Sequence, residues 1–176
     1  AGTLVSCTRW NGDHTEFQTT GVSAKRDATP PAIDVSPSRG PDSNGWYSRS
    51  LGVDISGGDS MSGLASCTPD RTYSGPDSGV AAVTGTCADH AGNTRSATFS
   101  FQYDATAPTV TPKPERKPDR KGWYNHRVRV SFVGSDATSG VSSCAPDVTY
   151  GGPDADKTAL AGTCTDRAAN TSSAAE

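Results

Sequence analysis

The sequence predicts an all-β protein, a tandem of small β-sandwich modules each holding one intramodule disulfide. Three observations predict it. The sequence repeats without gaps at a period of 77 residues, the cysteines recur in pairs with that period, and short alternating apolar runs are separated by Gly, Pro, Asn and Asp. Cys67 recurs as Cys144, Cys87 as Cys164, Gly45-Trp46-Tyr47 as Gly122-Trp123-Tyr124, and Gly75-Pro76-Asp77 as Gly152-Pro153-Asp154. Roughly half of the aligned positions are identical, too many for chance.

The repeat sets the expected boundaries. Residues 27–103 form one copy and residues 104–176 the next. Glu176 aligns with Phe99, so the second copy is expected to lack most of its last strand. Residues 1–26 match the end of a further copy, with Leu4-Val5-Ser6-Cys7 resembling the run into Cys87, and are expected to form a C-terminal hairpin. The odd count of five cysteines then has an explanation. Cys67 pairs with Cys87, Cys144 pairs with Cys164, and Cys7 aligns with the second member of a pair and stays unpaired. Five free thiols is the rival reading, but paired cysteines in a Gly/Ser-rich chain point to an oxidising compartment.

Composition agrees with short strands and thin cores. Apolar residues make up 32% of the chain, against about 45–50% in globular domains, and such cores need staples. A net charge of -3 offers no basic stripe for nucleic acid. No apolar run approaches the roughly 18 residues of a membrane helix, so no membrane insertion is expected. Ala1 opens no signal-peptide pattern, so the chain reads as a mature form or a piece of something longer.

The strands follow from period-2 patterning. Arg127–Phe132 alternates polar and apolar, and Leu51, Val53 and Ile55 hold the same inward columns in the other copy. Val83–Cys87 is a second strand, and Ala97, Phe99, Phe101 and Tyr103 alternate along a third. Asp89-His90-Ala91-Gly92-Asn93 between them reads as a hairpin turn. Shorter strands are expected near Ile33–Val35 and Gly63–Cys67. Six or seven short strands per copy suit a sandwich better than a barrel or propeller. Each boundary reads Asp-Ala-Thr-x-Pro, a short link that proline stiffens.

These residues resemble the bacterial immunoglobulin-like repeats of secreted and cell-surface proteins. The resemblance rests on Asp-x-Thr-x-Pro at Asp27 and Asp104, Gly-Trp-Tyr at Gly45 and Gly122, Ser-Gly at Ser62 and Ser139, and the Asp-x-Ala-Gly-Asn hairpin at Asp89 and Asp166. Leu64 stands where the pattern has Val, and Ala169 where it has Gly. The resemblance implies immunoglobulin-like sandwiches outside the cell. They would serve as a spacer or stalk, or as an adhesive or carbohydrate-binding module, with neighbouring modules of the same chain as first partners.

A search for chemistry leaves few candidates. Gly58-Asp59-Ser60 is faintly similar to the nucleophile block of some lipases, but its counterpart Ser135-Asp136-Ala137 has no serine there, and a turn is the plainer reading. His14, His90 and His126 recur at no equivalent position, so no Ser/His/Asp set is shared and no enzyme is expected. Asp89, Asn93, Asp104, Asp166 and Asn170 offer oxygens that can gather calcium at a module junction, against the plainer reading of turn chemistry. Lys113 to Arg129 holds seven Lys/Arg plus His126, while its counterpart Ser36 to Gly52 has only Arg39 and Arg49. Lys117, Arg120, Lys121, Trp123 and Arg127 are the candidate ligand residues there, for a cell-wall polymer or glycan, against the reading of a solvated face. Trp46-Tyr47 and Trp123-Tyr124 can stack on sugar, and core filling is the stronger expectation.

Overall fold

The computed structural model describes residues 3–10, 12–13 and 17–175, and side chains at 12–13 and 21–175. Among the described residues all regular structure is β. β1 (Thr3–Trp10) and β2 (Phe17–Ala24) form an antiparallel hairpin in which Cys7 lies opposite Thr20. The side chains of Cys7 and His14 lie outside the described residues.

The first repeat supplies β3 (Ala32–Pro37), β4 (Trp46–Tyr47), β5 (Leu51–Gly58), β6 (Leu64–Cys67), β7 (Arg71–Tyr73), β8 (Ser78–Asp89) and β9 (Thr94–Tyr103). They form two sheets, ordered β3-β5-β7 and β4-β9-β8-β6. The second repeat supplies β10 (Thr109–Pro114), β11 (Val128–Ser135), β12 (Val141–Cys144), β13 (Val148–Tyr150), β14 (Ala161–Asp166) and β15 (Thr171–Ala175), in sheets β10-β11-β13 and β12-β14-β15. The order repeats except for β4, which pairs with β9 in parallel and has no counterpart strand among the described residues; the antiparallel bridge from Ser43 to Trp46 does recur, from Arg120 to Trp123. β14 and β15 are half the length of β8 and β9. Residues 155–160, the counterparts of 78–83 in β8, run without strand structure.

By internal contacts the chain forms two compact units. One comprises residues 1–34, 55–69 and 85–97, with the β1–β2 hairpin and the first disulfide. The other comprises residues 35–54, 70–84 and 98–176, with both apolar cores. In the first core Tyr47, Leu51, Val53, Ala81, Phe101 and Tyr103 are buried, so side chains from both sheets of the repeat meet. Tyr73 sets its ring edge-to-face on Phe101 and Tyr103, with centroids 5.0 and 5.1 Å apart. Leu51 and Val53 are fully buried, worth about 2 kcal/mol each by area. The second core is thinner, with Val128, Val130 and Phe132 buried and Val110, Tyr124, Val148, Tyr150 and Leu160 partly covered.

Disulfides join Cys67 to Cys87 and Cys144 to Cys164, each spanning 20 residues. Each links directly opposite positions of neighbouring strands, β6 with β8 and β12 with β14. Glycine lies against both. A Cβ on Gly57 would stand 2.8 Å from the Cys87 Sγ, and one on Gly134 2.9 Å from the Cys164 Sγ. A second glycine pair makes room for the core: a Cβ on Gly85 would stand 2.6 Å from Ile55, and one on Gly162 2.4 Å from ring carbons of Phe132. Gly162→Ala should therefore force the buried Phe132 ring aside and destabilise the second repeat by about 1–3 kcal/mol. Urea unfolding measures it, and an unchanged midpoint would show that the ring has room to yield.

Candidate functional site

Two acidic clusters repeat at equivalent places. Each is built from a linker aspartate, an aspartate opening the Ser-Gly turn, and the first aspartate of the hairpin. Asp27, Asp59 and Asp89 bring carboxylate oxygens within 4.8 Å of one another, and Asp104, Asp136 and Asp166 do the same. Asp89 and Asn93 thus meet Asp27, while Asp104 meets Asp166 and Asn170. The expected calcium residues divide between two sites, each reaching forward from a linker into the repeat that follows it. Asp59 and Asp136 complete the clusters and were not among the expected ligands. Their signal was the shared spacing Asp-x-x-Ser-Gly.

Local hydrogen bonding explains how these aspartates are held. The Asp59 Oδ1 accepts the amides of Met61, Ser62 and Gly63 at 2.9–3.0 Å. The Asp136 Oδ1 accepts those of Thr138 and Gly140. Gly63 and Gly140 turn the chain at φ of 82° and 78°, a conformation open to glycine. In the hairpins, Asp89 accepts the Asn93 amide and side chain, and Asp166 accepts the same pair from Asn170. Ala169 adopts φ of 70° where Gly92 adopts 89°, a strain of order 1 kcal/mol for a residue with a Cβ.

The linker closes each network. Asp27 accepts the Ser62 amide and Asp104 the Ser139 amide, at 3.1 and 3.0 Å. Asn93 and Asn170 donate back to the carbonyls of Asp27 and Asp104. Hydrogen bonds from Ser62 and the Thr29 amide hold the Asp27 carboxyl below the usual range. Asp89, Asp104 and Asp166 are buried. Charged pairs at such a separation repel by about 3 kcal/mol at an effective dielectric of about 20, which the inward-pointing amides offset. Carboxylate and amide oxygens are the donors calcium takes. Asp27, Asp59 and Asp89, or Asp104, Asp136 and Asp166, could hold such an ion, and supply three of the roughly six to eight oxygens it needs.

The basic run divides differently. Lys121, Trp123 and Arg127 line one cavity of about 800 Å³ with Tyr124, Tyr150 and Leu160. Lys117 and Arg120 are exposed and do not line it. Part of the run is engaged in ion pairs, Arg116 with Asp119 at 2.7 Å and Arg129 with Asp147 at 2.7 Å. Arg116 also stacks on Tyr124, as Arg39 does on Tyr47. Burial opposes ionisation of Asp42, but hydrogen bonds from Arg49, the Ser48 amide and Arg39 outweigh it and hold its pKa at about 2. Core filling describes Trp46, 8% exposed, but not Trp123, 59% exposed.

Comparison with protein-family models, curated proteins and solved structures finds no match.

Proposed function

We propose that this chain is a non-catalytic array of immunoglobulin-like repeats of bacterial type that acts as a spacer or stalk in a larger secreted or cell-surface protein. What carries the reading is the linker, which is hydrogen-bonded on both sides. Asp77 of the first repeat accepts the Ala105 amide at 2.9 Å and the Thr106 hydroxyl. Asp104 and Asn170 tie the same segment into the second repeat. Asn44 adds a bridge to the Arg167 carbonyl at 3.0 Å. A link fixed at both ends and flanked by proline transmits position, as a spacer requires. The two disulfides suit an oxidising extracellular location.

A second reading, an adhesive or carbohydrate-binding module, is favoured by the exposed Trp123 beside Lys121 and Arg127. An array of glycans and anionic cell-wall polymers separates the two. A spacer leaves it silent. Saturable binding that is lost in Trp123→Ala would replace the spacer reading with the adhesive one.

A further inference from the structure

One loop in each repeat is built on the same clamp. In the second repeat Arg116 donates to the Asp119 carboxylate at 2.7 Å and to the carbonyls of His126 and Arg127 at 2.7 and 3.1 Å. Its guanidinium lies 5.0 Å over the Tyr124 ring, and the Asn125 amide donates to Asp119 at 2.9 Å. In the first repeat Arg39 holds Asp42, the carbonyls of Arg49 and Ser50, and the Tyr47 ring in the same way, and the Ser48 amide donates to Asp42. The Arg116 guanidinium thus ties the start of the loop to its end. At the tip the Asp119 amide donates to the Trp123 carbonyl and the Trp123 amide to the Arg120 carbonyl, at 2.8 and 2.9 Å. The backbone of residues 116–127 is preset.

What differs between the two loops is charge. Lys117, Arg120, Lys121 and Arg127 stand where the first repeat has Gly40, Ser43, Asn44 and Ser50. All four cations are exposed, and none has an ion-pair partner among the described residues. The acid of the loop, Asp119, is already engaged by Arg116. Gly40, Asn44 and Ser50 are exposed and Ser43 half-buried with strand β9 in place, so these positions belong to the surface of a repeat whose exit strand is present. Asn44 and Lys121 adopt φ of 47° and 51°, each followed by a glycine at 85° or 87°. Such a turn favours Asn-Gly, because a short amide side chain is at ease in the left-handed region and a lysine is not. The clamp forms in the first repeat without any of these cations, so the fold does not call for them. Like charges crowded on one loop repel, and one of them occupies a position where asparagine is the easier residue.

We propose that this loop docks a linear polyanion, a polymer carrying repeated phosphate or carboxylate groups. Cations spread from Lys117 to Arg127 and open to solvent meet successive groups of a chain, and nothing about them encloses one small anion. Arginine takes either acidic group in a two-pronged hydrogen bond, and a clamped backbone leaves only the side-chain tips to be ordered on binding. The inference rests on the adhesive reading and deepens it: it names the ligand class and moves the contact from the indole to the cations.

The test titrates the full chain with poly(glycerol phosphate), polygalacturonate and neutral dextran by calorimetry. Saturable binding of a polyanion is expected, the tighter of the two naming the acidic group, and dextran should not bind. Affinity should fall at least tenfold between about 50 and about 200 mM salt as counterions are released. A variant carrying Lys117→Gly, Arg120→Ser, Lys121→Asn and Arg127→Ser has the residues of the first repeat, which the same clamp already accommodates, and should bind at least tenfold more weakly. Polyanion binding that this variant retains, or binding to phosphatidylglycerol vesicles in place of either polyanion, would overturn the proposal. Binding of dextran alone that is lost in Trp123→Ala and kept in the charge variant would overturn it and leave the adhesive reading standing. A chain silent toward every polymer would overturn both.

Discussion

Replacing Cys144 and Cys164 together by alanine should lower the stability of the second repeat by about 3 kcal/mol. The disulfide closes a loop of 20 residues, and the chain-entropy model assigns about 3 kcal/mol to a loop of that size. A small domain has roughly 5–15 kcal/mol in all, and this repeat buries only Val128, Val130 and Phe132 as its central apolar cluster. Cys164 is fully buried against Gly134, so the double substitution also leaves unfilled volume beside a residue that has no side chain to fill it. Urea unfolding of the oxidised chain and the variant measures the loss. An unchanged midpoint would show that packing, not the staple, holds the repeat. Non-reducing peptide mapping fixes the pairing independently, and a bond between Cys67 and Cys144 would break the correspondence of the two repeats.

What the sequence made legible was local or periodic. Leu51, Val53 and Ile55 alternate over enough residues to mark β5, and the same columns mark β11. The cysteine pairs stood out because the repeat placed them twice at one spacing. β7 and β13 stayed hidden because each spans three residues, too few for alternation to show. Asp59 was visible only as part of a serine motif until the structure set it beside Asp27 and Asp89. The contrast between Trp46 and Trp123 was illegible for a different reason. Both sit in Gly-Trp-Tyr, and what covers Trp46 is a strand more than fifty residues further along the chain. Burial is a non-local property, and identical local sequence cannot report it.

Asp104→Ala should cost the second repeat about 3 kcal/mol, and Asp27→Ala about 1 kcal/mol in the first. The two residues are equivalent in sequence and bonding but not in burial. Asp104 is fully buried, and its Oδ2 accepts the amide of Ser139, itself 3% exposed. Without that acceptor the amide is left buried and unpaired, at about 1–3 kcal/mol. The charge-assisted character of the lost bond adds to this. The Thr106 amide, which also bonds Asp104, belongs to an exposed residue where water can replace the carboxylate. Asp27 is only half-buried, as is its partner Ser62, so water recovers more of what is lost there. Removing one carboxylate also relieves repulsion with Asp136 and Asp166, which keeps the Asp104 figure near 3 kcal/mol rather than above it. Urea unfolding gives the magnitudes, and amide exchange at Ser139 should quicken in Asp104→Ala while that of core strand β11 follows only the global loss. Repeating the pair of measurements with calcium and with chelator separates the carboxylate's two possible roles: stabilisation of the parent chain by calcium that Asp104→Ala abolishes would assign the cluster to an ion, and equal curves in both media would leave it as a hydrogen-bonded staple. A wild-type midpoint for Asp104→Ala would overturn the view that this linker aspartate fastens one repeat to the next.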